Sequence, residues 1–176
     1  MTGLRRGELL GMRWTDLDLE SATLTVSRQR VEVSGGVRES EPKTAAGHRT
    51  LSLDETTMAV LKRHRGSPWS SDAGEGLVFC WPDGRAVRPD WVTHRFRRLV
   101  DDLELPPVRL HGLRHAAATM ALAAGADVRT VQEMLGDTCY AFTADTYTCV
   151  TSQRLRDLAD ATAGLVLREL REHGPT

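Results

Sequence analysis

The chain has 176 residues, 40% hydrophobic and 27% charged, with 23 basic against 24 acidic side chains and a formal net charge of -1. That length buries one sizeable core and points to a single domain, and no apolar run approaches the ~18–20 residues of a transmembrane helix. The charged N-terminus lacks a signal peptide's apolar segment, and Cys80, Cys139 and Cys149 are too few and too scattered for a disulfide framework, so a reducing cytoplasm is the expected setting.

In chain order, residues 4–13 alternate charge and leucine at helical spacing, and Trp14-Thr15-Asp16 closes that helix. Thr23, Thr25, Val31 and Val33 predict a strand between Ala22 and Val33. Ser34-Gly35-Gly36 is a turn signal, so a second strand runs through Arg38–Lys43, and Arg49–Leu53 reads as a third. Asp54 is placed to cap a helix carrying Met58, Val60 and Leu61 and ending near Gly66. Residues 66–76 form a Gly/Ser-rich loop, Leu77–Cys80 a short buried strand, and Pro82-Asp83-Gly84 a turn.

Pro89 suits the first turn of a helix reaching about Leu103, and Pro106-Pro107 interrupts before the next element. A helix from His111 to Ala124 stops at Gly125, and Asp127 caps a short one through Val131, Met134 and Leu135. Another includes Ala144–Tyr147, and the last carries Leu155, Leu158, Leu165 and Leu170. Trp14, Trp81 and Phe96 read as core. The fold class is α+β, mainly helical, with a small antiparallel three-stranded sheet.

A net charge near zero does not advertise a nucleic-acid partner, but the distribution is uneven. Arg85, Arg88, Arg95, Arg97 and Arg98 stand against Asp90 alone, with Trp91 and His94 interleaved. Such a block either neutralises phosphates or is a solvated helix face.

Three patterns stand out beyond this. The first is Thr2-Gly3-Leu4-Arg5-Arg6-Gly7-Glu8, continued by Leu10, Trp14 and Asp16; the second is His111-Gly112-Leu113-Arg114-His115; the third is Leu135-Gly136-Asp137 followed by Thr146-Tyr147. With these residues, in this order, the chain resembles the tyrosine recombinases, the phage integrase family. Arg5 lies in that family's T-G-L-R-x-x-E pattern, His111 and Arg114 in its H-x-L-R-H box, and Tyr147 in its T-x-D-x-Y element. Three boxes in register cover almost the whole length.

The resemblance implies a DNA breaking-rejoining catalytic fold over residues 1–176, without the core-binding domain and first catalytic-domain helix that family members carry ahead of it. It implies strand cleavage and rejoining on double-stranded DNA, within a tetramer, with no membrane partner. Arg5 and Arg114 clamp the scissile phosphate, since a guanidinium is permanently charged and forks onto two oxygens. Tyr147 is the nucleophile, and its 3′-phosphotyrosine stores the bond energy, so no ATP, metal or other cofactor is needed. Lys43 stands at the hairpin lysine position of the general acid, and His111 contacts the phosphate or assists proton transfer. His115 orients or packs.

Each residue also has a plainer reading. Arg5 can pair with Glu8 at i,i+3, Lys43 can be a surface lysine, and Tyr147 a half-buried helix aromatic. His111 and His115 have zinc spacing, but no C-x-x-C or H-E-x-x-H accompanies them.

The sequence departs from the family at Asp137, which stands where a histidine normally donates to the phosphate. A carboxylate accepts hydrogen bonds and adds negative charge beside a dianionic transition state. Loss of one such donor costs about 10²–10³ in rate in other enzymes, so severe impairment is expected. Cys149 replaces a frequent histidine and Cys139 a frequent serine, both milder changes. The alternative reading is a catalytically impaired DNA-binding or assembly remnant.

Overall fold

The computed structural model describes residues 2–34, 36–42, 45–71 and 76–136. Lys43, Asp137, Cys139, Tyr147, Cys149 and the helices expected over 144–147 and 155–170 lie outside the described residues. Within them, the leucine-rich N-terminal pattern folds as a helix α1 of only six residues, Arg6–Gly11. It ends early because Met12 turns extended and residues 12–14 hydrogen-bond elsewhere. The Val78 amide donates to the Met12 carbonyl at 2.9 Å, and the Trp14 amide to Gly76 at 3.1 Å. Trp14–Asp16 is therefore a separate 3-10 turn.

The strand expected over 22–33 is two strands in two sheets. β1 (Leu17–Asp18), β2 (Thr23–Val26) and β5 (Arg49–Ser52) form an antiparallel sheet in the order β1-β2-β5. β3 (Gln29–Val33) and β4 (Gly36–Ser40) form a separate hairpin. The three-stranded sheet is thus real, but its third member is β1; the strand expected over Arg38–Lys43 pairs only with β3. Asp16 anchors the break, accepting from Ser27 Oγ and the Arg28 guanidinium, each at 3.2 Å.

Asp54 caps α2 (Glu55–Arg65), accepting the Thr57 amide at 2.9 Å. Pro89 opens α3 (Pro89–Asp102) at its first position. α4 (Gly112–Ala123) stops before Gly125, whose φ is +105°. Asp127 caps α5 (Val128–Leu135) through the Thr130 amide at 3.0 Å. Leu77–Cys80 is not a strand: Leu77 and Cys80 make single bridges to Arg13 and Ala86, and Val78 is fully buried.

Two apolar clusters result. Met12, Trp14, Leu24, Leu51, Met58 and Val78 join the sheet to α2, and Ala118, Leu122, Val131 and Leu135 pack α4 on α5. Small alanines let those two helices approach, and each buried leucine contributes roughly 1.5–3 kcal/mol. Met134 touches both clusters and couples α5 to the sheet. Trp14 is core as expected. Trp81 is half-buried, with its ring 4.9 Å from Trp91, and Phe96 is half-buried on the wall of a groove. No helix among the described residues is long and apolar enough to cross a membrane.

Candidate active site

The last carbonyls of a helix have no partner within it and carry the negative end of its dipole. At α5 three of them meet three arginines from three distant elements. Arg49 of β5 donates from Nε to the Met134 carbonyl at 2.8 Å, Arg114 of α4 from Nη2 to Leu135 at 2.6 Å, and Arg5 from Nη2 to Gly136 at 3.2 Å. The chain then continues directly to Asp137.

Arg114 is 3% exposed and also donates from Nη1 to the Gly3 carbonyl at 2.6 Å. A buried guanidinium is costly unless paired and hydrogen-bonded. Here two carbonyls offset that cost and fix the plane of the fork. Arg5, at the N-cap of α1, keeps about a third of its side chain exposed. Its Nη1 pairs with Glu8 Oε1 at 2.8 Å, and its backbone amide donates to Glu8 Oε2 at 2.8 Å. The plain i,i+3 pairing does form, but it is half of the arrangement.

Glu8 also takes Arg49, Nη1 to Oε1 at 3.1 Å and Nη2 to Oε2 at 2.8 Å. Burial raises the pKa of the Glu8 carboxyl, but the hydrogen bonds from Arg49 and from the Arg5 backbone, with Arg49's charge, outweigh it and hold it below the usual carboxylate range. Glu8 stays ionised inside the fold. Arg49 had only the look of a strand residue; its one sequence signal is a charge two positions from the buried Leu51, on the same face of the strand.

Two glycines of the sequence boxes are explained by this geometry. Gly136 caps α5 at φ +65°, and a Cβ there would stand 2.6 Å from the Ala46 carbonyl oxygen and 2.7 Å from Arg49 Nη1. Gly3 has φ +61°, and a Cβ there would stand 2.6 Å from Leu135 Cδ2. Each lets backbone come close to the arginine cluster.

His111 precedes α4, is exposed, and lines with Arg114 a groove of about 1140 Å³ bounded by α3 and residues 2–9. Its ring stands edge-on to that of His115, centroids 5.0 Å apart, so His115 packs on it one turn along. The structure thus brings Arg5 and Arg114 to the region where α5 ends, and His111 lines the groove with Arg114. Lys43, Asp137 and Tyr147 lie outside the described residues.

The basic block divides over α3 and the turn before it: Arg97 lines the groove with His111 and Arg114, and most of the rest share another face. Arg88, Trp91, His94, Arg95 and Arg98, with Asp90, line a shallow cavity of about 540 Å³. The pairs Arg88–Asp90 at 3.5 Å and Arg95–Asp102 at 3.9 Å are solvent-exposed and worth little.

A small antiparallel sheet, five helices among the described residues and a buried arginine cluster define an α+β domain built around fixed cations. The sequence profile of the phage integrase family matches residues 1–154. The chain belongs to that family. It is 32% identical to a XerC-like tyrosine recombinase of Caldanaerobacter subterraneus subsp. tengcongensis, over 85% of this chain and 43% of the relative. It is 26% identical to the ICEBs1 integrase of Bacillus subtilis, over 91% of this chain and 45% of that protein. The chain therefore spans less than half the length of these relatives. Among solved structures, the Tn1549 transposon integrase in complex with transposon right end DNA superposes with a TM-score of 0.76 at 26% identity, over 90% of this chain and 56% of the other. The XerA recombinase, at 23% identity and a TM-score of 0.66 over 99% of this chain and 55% of the other, shares the fold.

Proposed function

We propose that the chain is the catalytic part of a site-specific DNA recombinase, an integrase that cleaves and rejoins double-stranded DNA through a 3′-phosphotyrosine link. The observation that carries this reading is the fixing of Arg5 and Arg114 by consecutive carbonyls, Gly136 and Leu135. Preorganised cations stabilise a phosphorane-like transition state without reorganising during the reaction. In this reading Tyr147 Oη attacks the phosphorus, the bond to the 5′-oxygen breaks, and Lys43 protonates that oxygen. His111 either contacts the phosphate or assists the transfer by which the phenolic proton of Tyr147 passes to solvent. Attack by a 5′-hydroxyl on the phosphotyrosine reverses the step, so no cofactor is consumed. The α3 face with Arg88, Arg95 and Arg98 tracks the DNA backbone. The family relatives include the ICEBs1 integrase and a putative prophage phiRv2 integrase of Mycobacterium tuberculosis, which supports a mobile-element role; a tetramer on DNA and a cytoplasmic setting belong to the same proposal.

The test is a suicide-substrate trap with nicked duplexes from the candidate attachment site. A covalent protein–DNA band that is lost in Tyr147→Phe supports the reading. A second reading, an impaired DNA-binding remnant, is favoured by Asp137 in place of a phosphate donor. It expects salt-sensitive duplex binding and no band. Return of the band in Asp137→His then identifies Asp137 as the cause, and persistent silence places the defect elsewhere.

A further inference from the structure

We propose that Arg49 is a positioning residue for the phosphate clamp: it balances the charge of Glu8, so that Glu8 holds Arg5 in place without cancelling Arg5's attraction for an anion. The inference rests on the reading of Arg5 as a phosphate ligand. A carboxylate 2.8 Å from Arg5 Nη1 would by itself neutralise much of the field that a phosphate feels there. Glu8, however, is shared. Both of its oxygens accept from Arg49, whose side chain is 6% exposed and which points inward to the Met134 and Gly47 carbonyls.

Every nitrogen of Arg49 is engaged by protein, Nε by Met134, Nη1 by Glu8 and Gly47 and Nη2 by Glu8, so it acts through Glu8 and the end of α5. Its third anchor, Met134, immediately precedes the two carbonyls that hold Arg114 and Arg5. Arg114 and Arg5 keep their own carbonyl anchors, Leu135 and Gly136, so what Arg49 alone supplies to Arg5 is the charge balance.

The test titrates the folded chain with inorganic phosphate and follows the arginine side-chain N–H resonances, with Arg5 assigned by its loss in Arg5→Lys. In Arg49→Met, phosphate binding at Arg5 weakens about tenfold, the effect of one uncompensated contact charge at a partly exposed site. Glu8→Gln added to Arg49→Met removes the offending carboxylate, and binding returns to within about threefold of wild type. A merely structural role predicts the opposite, since the double variant loses still more of the fork. Unchanged binding in Arg49→Met, or a double variant as weak as the single, overturns the inference. If Arg49→Met fails to fold, the double variant, which buries no unpaired charge, decides by the same criterion.

The covalent trap separates this from the parent reading. Phosphate behaviour as expected with no tyrosine-dependent adduct overturns the recombinase reading and leaves the role of Arg49 standing. An adduct from a chain whose Arg5 ignores phosphate does the reverse.

Discussion

Glu8 and Arg49 meet as a two-pronged fork across 41 positions of sequence, Nη1 to Oε1 at 3.1 Å and Nη2 to Oε2 at 2.8 Å, with side chains 2% and 6% exposed. The pair joins the first turn of α1 to the edge of β5, and through the Met134 carbonyl to the end of α5.

Breaking this pair from one side should be expensive. Arg49→Met leaves a carboxylate inside the fold with Arg5 as its remaining cationic partner in the fork, and should cost about 3–5 kcal/mol in urea unfolding. Glu8→Gln combined with Arg49→Met should cost clearly less than the sum of the two single changes. A double-mutant cycle on unfolding free energies measures this, and strict additivity would contradict the pairing.

Glu8 should also govern acid stability. Its carboxyl is held below the usual range, because hydrogen bonds and charge from Arg49 and Arg5 outweigh the upward push of burial. A group whose pKa is depressed on folding contributes stability that is complete above its unfolded value, about 4.3 for a glutamate. That contribution is lost as pH falls through the lower folded value. Unfolding free energy should therefore drop below about pH 4 with a steeper slope in wild type than in Glu8→Gln. Parallel slopes would exclude Glu8 as a source.

Gly136→Ala should destabilise the chain by roughly 1–3 kcal/mol from the left-handed backbone alone, with more from the contacts its Cβ would make on Ala46 and Arg49. Since Arg49 must shift, the same variant should weaken phosphate binding at Arg5. Thermal unfolding and the phosphate titration read the two effects, and a stable Ala variant with unchanged binding would show that the α5 cap tolerates a side chain.

On the α3 face, Arg88→Ala and Arg95→Ala should each lower the slope of log affinity against log salt for duplex DNA by about one. Both side chains are more than half exposed, so the unfolding midpoint should not move. A slope unchanged in the pair of variants would remove this face from the DNA path.

Local chemistry made much of the framework readable. Asp54, Pro89, Gly125 and Asp127 mark helix ends because a cap acts within one turn: α2, α3 and α5 begin, and α4 stops, within a residue or two of those signals. Arg5, His111 and Arg114 were legible as candidates from the boxes around them. What no window of sequence contained was which groups meet. The run from Ala22 to Val33 divides at Ser27–Arg28 because its halves pair with different strands, β2 with β5 and β3 with β4. α1 stops at Gly11 because Met12 and Trp14 hydrogen-bond to Val78 and Gly76.

Arg49 is the clearest case. Its surroundings in sequence read simply as a strand, and its partners include residues as distant as positions 8 and 134. Periodicity and capping depend on neighbours a few residues apart, so the chain itself determines them. A buried charge network exists only where folding removes water and brings distant groups within hydrogen-bond reach, so only the tertiary structure decides it.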